Sequence, residues 1–213
     1  ISYISPVIYK LNSPINGDEY RPFNIGNPIY LNPKNDLEYL VNTNKKNLEV
    51  EVISGANNIS ARIYLDSPEG TKVDPEFYDI NFKNNNEKKL LNFNVSLSDN
   101  KNSINKVSYK AKIDDKIFSR GINKIIYSHI SHQTRFPKSE VSLIKFDLNV
   151  KAKNIAYIMG SGDKIPESLS LVGYKVDLFE KNDIKIDNLK DYDALIVGVR
   201  AFNSDKSLLD IKP

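Results

Sequence analysis

Leu91-Asn92-Phe93-Asn94-Val95-Ser96-Leu97 is the stretch on which the fold reading turns. Apolar and polar residues alternate strictly. Successive side chains on a strand point to opposite faces, so a period of two describes a strand with one face in a core and the other in water. Two further runs repeat the pattern: Tyr109, Ala111 and Ile113 alternate with Lys110 and Lys112, and Ile144, Phe146, Leu148 and Val150 alternate with Lys145, Asp147 and Asn149. Shorter candidates lie at 3–10, 27–31, 37–42, 48–53, 60–65, 76–82 and 122–128, separated by turn clusters such as Ser67-Pro68-Glu69-Gly70. Many short antiparallel strands joined by polar turns predict a β-sandwich.

The pattern changes near residue 152. Ile155-Ala156-Tyr157-Ile158-Met159 and Ala194-Leu195-Ile196-Val197 are unbroken apolar runs, as expected of parallel strands covered on both faces. Between them Ile165, Leu169 and Val172 fall at i, i+4 and i+7, with Pro166 in the first turn and Gly173 after the last, which predicts a helix. Tyr174-Lys175-Val176-Asp177-Leu178 then reads as a second strand. Strand, loop, helix, strand, loop, strand is the opening of a doubly wound, flavodoxin-like α/β domain, and three strands in about 60 residues do not complete one. The expected organisation is lead-in strands over residues 1–31, a sandwich over 32–150 and a partial, truncated α/β unit over 153–213, with the boundary between Asn149 and Asn154. The opening Ile1-Ser2-Tyr3-Ile4 and the close at Pro213 read as those of a piece of a longer protein.

Composition narrows the function classes. With 213 residues, 40% of them hydrophobic, the chain can bury a core, which excludes a fully disordered chain. Its 30 Lys+Arg and 27 Asp+Glu nearly cancel to +3, so no strong single-sign field is present to hold nucleic acid or an acidic membrane. No apolar run approaches the ~20 residues of a membrane span. The absence of cysteine removes a disulfide framework, thiolate zinc sites and a cysteine nucleophile. Asparagine, about one residue in eight, reads as turn chemistry and composition bias.

Few residues could carry chemistry. His129 and His132, in Ser128-His129-Ile130-Ser131-His132, have the i, i+3 spacing that chelates zinc from one helix face, but the surrounding sequence is not helical, and on a strand these positions face opposite ways. Hydrogen-bonded or solvated interdomain histidines are therefore the favoured reading over a metal pair. Gly160-Ser161-Gly162 lacks the second spaced glycine of a nucleophile elbow, and Ile165 stands where a dinucleotide fingerprint needs its third glycine. Asp114, Asp115, Asp191 and Asp193 sit at turn positions. The loop Gly160-Ser161-Gly162-Asp163 follows a strand and opens a helix, and two readings stay open for it: a tight turn with Asp163 as N-cap, or a ligand loop using Ser161, Gly162 and Asp163. Arg200, just after the last strand, would either present donors to a small anionic or sugar ligand in the crevice between the two loops or pair with Asp163 and close it.

At this point the residues resemble a known family. Ala61-Arg62-Ile63-Tyr64-Leu65-Asp66-Ser67-Pro68-Glu69-Gly70, followed by Asn92-Phe93-Asn94-Val95, is similar to the Ig-like module that accompanies glycan-active enzymes, with Thr71 where that module usually has Trp. Ile126-Tyr127-Ser128-His129-Ile130-Ser131-His132-Gln133-Thr134, then 155–169, and finally Tyr192-Asp193-Ala194-Leu195-Ile196-Val197-Gly198-Val199-Arg200-Ala201-Phe202-Asn203 resemble, in order, the C-terminal accessory region of bacterial PIG-L-type (LmbE-like) N-acetylglucosamine deacetylases. In such proteins a zinc deacetylase domain precedes an Ig-like sandwich and a glutamine-amidotransferase-like α/β domain.

The resemblance implies a bacterial, exported or periplasmic setting, zinc held only in the parent's missing catalytic domain, and partnership with that domain and with glycan. Its zinc motif, of His-Pro-Asp-Asp type, does not occur in these residues, so no catalytic residue is expected, no cofactor belongs to this piece, and the parent is expected to be the hydrolase. The reading from sequence is a non-catalytic accessory region. The alternative is a free-standing binding module for a small anionic or sugar ligand.

Overall fold

The computed structural model describes residues 7–14, 17–98, 101–127, 130, 132–149, 153–180, 186–204, 206 and 208. The protein is mostly β, and its larger sheets are antiparallel. A first hairpin pairs β1 (Ile8–Ser13) with β2 (Gly17–Pro22). There follow β3 (Ile29–Pro33), β4 (Leu37–Val41), β5 (Lys45–Ser54), β6 (Ile59–Asp66), β7 (Thr71–Asp74), β8 (Phe77–Phe82), β9 (Lys88–Leu97), β10 (Ser103–Ile113) and β11 (Lys116–Phe118). A short ribbon pairs β12 (Asn123–Ile125) with β13 (Gln133–Arg135), and β14 (Glu140–Phe146) follows. One sheet has the order β4-β14-β10-β6-β8 with β11 paired to β10, and the other has the order β3-β5-β9-β7.

The alternation in β9 is realised residue by residue. Leu91, Phe93, Val95 and Leu97 are buried, while Asn92 and Asn94 are exposed. Phe93 of one sheet lies 5.9 Å from the Tyr109 ring of the other and 5.1 Å, edge-on, from Tyr78, so aromatic rings interlock where the two sheets face each other. Around them Leu48, Val50 and Ile63 are fully buried. The turns also follow from residue chemistry. Gly70 takes φ +81°, and Thr71 N–H donates to the Pro68 carbonyl at 3.2 Å, closing the Pro68–Thr71 turn. Asn42, Asn58 and Asn86 adopt left-handed backbone, which asparagine tolerates better than most residues.

Some strands differ from the sequence expectation. The candidate at 3–10 is observed as Ile8–Ser13, with residues 1–6 outside the described ones, and the candidate at 122–128 as Asn123–Ile125. Strands β2, β7, β11 and β13 carry no clear alternation and form through pairing with a neighbour, which a local pattern does not encode.

The C-terminal part contains β15 (Asn154–Ile158), α1 (Ile165–Leu171), β16 (Lys175–Phe179), α2 (Ile186–Leu189), β17 (Ala194–Val197) and α3 (Ala201–Ser204). Its three strands are parallel in the order β16-β15-β17. Helix α1 ends in a Schellman motif: Gly173, at φ +102°, donates to the Ser170 carbonyl, and Tyr174 N–H donates to that of Leu169, both at 3.1 Å. Two expectations are corrected. The N-cap is Lys164, with no side-chain cap, and not Asp163. Burial on both faces holds for the central strand, where Ile155, Ala156, Tyr157 and Ile158 are buried, but not for β17, whose Leu195 and Val197 are about 40% exposed. The reason is position: β17 is a sheet edge, and an apolar run does not reveal that such a strand is left partly uncovered.

The chain divides into two compact units, Ile1–Glu38 with Asn44–Ile144, and Tyr39–Thr43 with Lys145–Pro213. Strand β14 belongs to the antiparallel six-stranded sheet and β15 to the parallel one. Residues 150–152, in the expected boundary, lie outside the described residues.

Candidate functional site

The loop after β15 and the loop after β17 meet at the carboxyl ends of adjacent strands. Their approach is at backbone level. Ser161 N–H donates to the Val199 carbonyl at 2.9 Å, the Ser161 hydroxyl donates to the same oxygen at 3.3 Å, and Gly198 N–H donates to the Ile158 carbonyl at 2.8 Å. A Cβ on Gly160 would run into the Val199 carbonyl, and one on Gly198 would sit 2.8 Å from both the Gly160 nitrogen and the Ile158 oxygen. Both glycines are there because the loops touch.

Asp163 is the hub of this junction. One carboxylate oxygen accepts from the Tyr157 hydroxyl at 2.8 Å and from Ile165 N–H at 3.2 Å, and the other accepts from Val199 N–H at 3.3 Å. The Tyr157 hydrogen bond, with help from the backbone donors, holds the Asp163 carboxyl below its usual range. Burial first, and then the bond to Asp163, push the Tyr157 hydroxyl up to about 12. One aspartate thus ties together the end of β15, the start of α1 and the end of β17.

Of the sequence-predicted site residues, Ser161 and Asp163 are brought against Val199, the residue before Arg200. Among the described residues no ion pair joins Arg200 to Asp163, whose carboxylate is already engaged with three other donors. Arg200 is exposed, with left-handed backbone at φ 59°, and its carbonyl accepts from Asn203 and Ser204 at the start of the last helix. The arrangement therefore acts first as a lock between two strand ends, with the Gly162 backbone and the Arg200 side chain facing outward. Tyr157 is the partner that sequence reasoning missed. Its signal was a phenol in the middle of an otherwise aliphatic buried run, since a buried hydroxyl needs an acceptor.

His129 lies outside the described residues. His132 is half-buried in a cleft that also contains Arg21 and Lys124. Among the described residues no three His, Asp or Glu side chains come together as a metal-holding group.

No family model and no curated protein matches the chain. Solved structures similar to it include the native conformation of Escherichia coli alpha-2-macroglobulin, at 7% identity and TM-score 0.36 over 60% of this chain and 7% of that one. The calcium-binding domain CBD12 of CALX1.1 is similar at 8% identity and TM-score 0.30 over 64% of this chain and 52% of that one. A protein of unknown function from Porphyromonas gingivalis W83 is similar at 11% identity and TM-score 0.29, over 63% and 59%. The chain thus spans less than two thirds of each of these proteins, and likeness at this level assigns neither fold family nor function.

Proposed function

We propose that the chain is a non-catalytic accessory region of a PIG-L-type deacetylase-like protein. In this reading an Ig-like sandwich, followed by the opening of an amidotransferase-like α/β domain, spaces and orients a zinc deacetylase domain and contacts its glycan. The observation that supports it most is the use made of Asp163. The one carboxylate in the loop best placed for ligand chemistry spends its hydrogen bonds on Tyr157, Ile165 and Val199, as a structural joint does. The ordered resemblance of the joint and the loops to the family's accessory region supports it independently.

Assay of the complete reading frame with and without residues 1–213 tests this. Loss of turnover on a polymeric glycan, with turnover on a small N-acetylglucosamine substrate retained, is the expected result. Equal loss on both substrates, or a frame without a His-Pro-Asp-Asp-type domain, overturns it.

A second reading, a binding module for a small anionic or sugar ligand, draws support from Arg200. Its exposed guanidinium stands beside the two loops, and Asp163 does not neutralise it. Chemical-shift changes at Gly162 and Arg200 on titration with small anions or sugars would favour this reading.

A further inference from the structure

The outer face of strands β8, β6 and β10 carries a shallow, open groove of about 360 Å³. Strand register builds it. Asp79 of β8, Arg62 of β6 and Lys112 of β10 lie opposite one another in one row, with Asn81 and Ser60 in the row on one side and Phe77 and Tyr64 in the row on the other. Alternation turns all of these outward, because the residues between them, Ala61, Ile63, Ile80 and Ala111, are buried in the sandwich. Asp114, at the β10–β11 turn, adds the last polar group of the lining.

The central pair is held in place. Arg62 Nε and Nη2 donate to the two Asp79 oxygens at 2.8 and 2.9 Å, and the guanidinium lies 3.9 Å over the Phe77 ring. A planar group fixed at both edge and face presents its remaining N–H groups, and Asp79 its remaining lone pairs, in a set orientation. Around this pair the side chains of Ser60, Asn81, Lys112 and Asp114 make no hydrogen bond or ion pair among the described residues, to which every residue of the three strands belongs. Two cations and two carboxylates line the groove, so a charged ligand would meet as much repulsion as attraction. A neutral hydroxyl both donates and accepts, and is complementary to both kinds of group. Phe77 is still 42% exposed, with half-buried Tyr64 beside it, and the two rings set an apolar surface next to the polar one. The ligand chemistry that answers all three features is an uncharged ring with many hydroxyls on its rim and C–H groups on its face, a neutral sugar.

We infer that this face of β8, β6 and β10 binds a neutral oligosaccharide, with Arg62, Asp79, Asn81 and Lys112 hydrogen-bonding its hydroxyls and Phe77 and Tyr64 flanking its C–H faces. The inference deepens the accessory-region proposal by giving its glycan contact a place, and it rests on that proposal for the choice of N-acetylglucosamine oligomers as first probe.

The test is amide and guanidinium NMR of the full chain, titrated separately with two neutral tetrasaccharides, N-acetylglucosamine tetramer and cellotetraose, and with two charged ones, the cationic glucosamine tetramer and the anionic galacturonic acid tetramer. The expected result is saturating shifts at Ser60, Asn81, Lys112 and the Arg62 Nε–H with at least one neutral tetramer, at lower concentration than with either charged one. Arg62→Gln should weaken binding about tenfold, as loss of one charge-assisted contact does, while the resonances of buried Phe93 and Val95 stay in place. Lys112→Gln should do the same and serves if the first variant folds poorly. Linear, non-saturating shifts with both neutral tetramers, tighter binding of a charged one, or binding that neither variant weakens would overturn the assignment. Because the readout needs no catalytic domain, such a failure is distinct from failure of the accessory-region proposal, which the glycan turnover assay decides.

Discussion

At the scale of single residues the informative positions are those where the backbone leaves no choice. Gly160 and Gly198 face a neighbouring strand end at contact distance, so Gly160→Ala or Gly198→Ala should destabilise the C-terminal unit by about 2 kcal/mol or more, through displaced backbone. Gly162, at φ +83° with open space where a Cβ would go, should lose only about 1 kcal/mol on change to Ala, from left-handed strain alone. Thermal unfolding followed at β15 amides separates the two cases. Tyr109 supplies a prediction of opposite sign. It is fully buried, and among the described residues its hydroxyl finds no partner, so Tyr109→Phe should leave stability unchanged or raise it by up to about 1 kcal/mol in denaturant unfolding. The glycines of the Gly160–Asp163 loop were legible as a turn. That Asp163 would be held by a phenol six residues earlier was not, because a loop's spacing says nothing about which buried side chain lies beneath it.

At the scale of elements, β9 was the most legible part of the chain. Its alternation is carried by large apolar residues on one side and amides on the other, and the observed burial follows it without exception from Leu91 to Val95. Phe93→Ala should therefore destabilise the sandwich by about 3–5 kcal/mol, measured by denaturant unfolding, because the ring fills the space between the sheets against Tyr78 and Tyr109. The second unit has a weaker signature and a different support. Asp163 is held by Tyr157, Asp177 by Tyr192, and Asp193 by the N–H groups of Asn154 and Lys153, and each of these contacts holds its carboxyl below the usual range. A folded-state value below the unfolded one means that the stabilisation is complete above the unfolded carboxylate value of about 3.9 and is lost as pH falls through the folded values. The midpoint for β15 amides should accordingly drop with acid below about pH 4, and Asp193→Asn should flatten that dependence. An unchanged pH profile in the variant would remove Asp193 from the account. The partial exposure of β17 was illegible in sequence, since Leu195 and Val197 read as buried and are about 40% exposed.

At the scale of the whole molecule, the change from period two to unbroken apolar runs does separate antiparallel sheets from a parallel one, because β14 and β15 belong to different sheets. The division of the chain is less simple than one cut, since Tyr39–Thr43 groups with the later residues through sheet pairing distant in sequence. Such pairing leaves no local trace. On the proposed function this chain does no deacetylation itself and serves a catalytic domain elsewhere. The most direct measurement is to incubate the purified chain with zinc, dialyse it, determine the metal retained, and assay acetate release from N-acetylglucosamine oligomers. The account predicts that zinc is lost on dialysis and that acetate stays at the level of buffer alone. One zinc retained per chain together with acetate release above that level would contradict it.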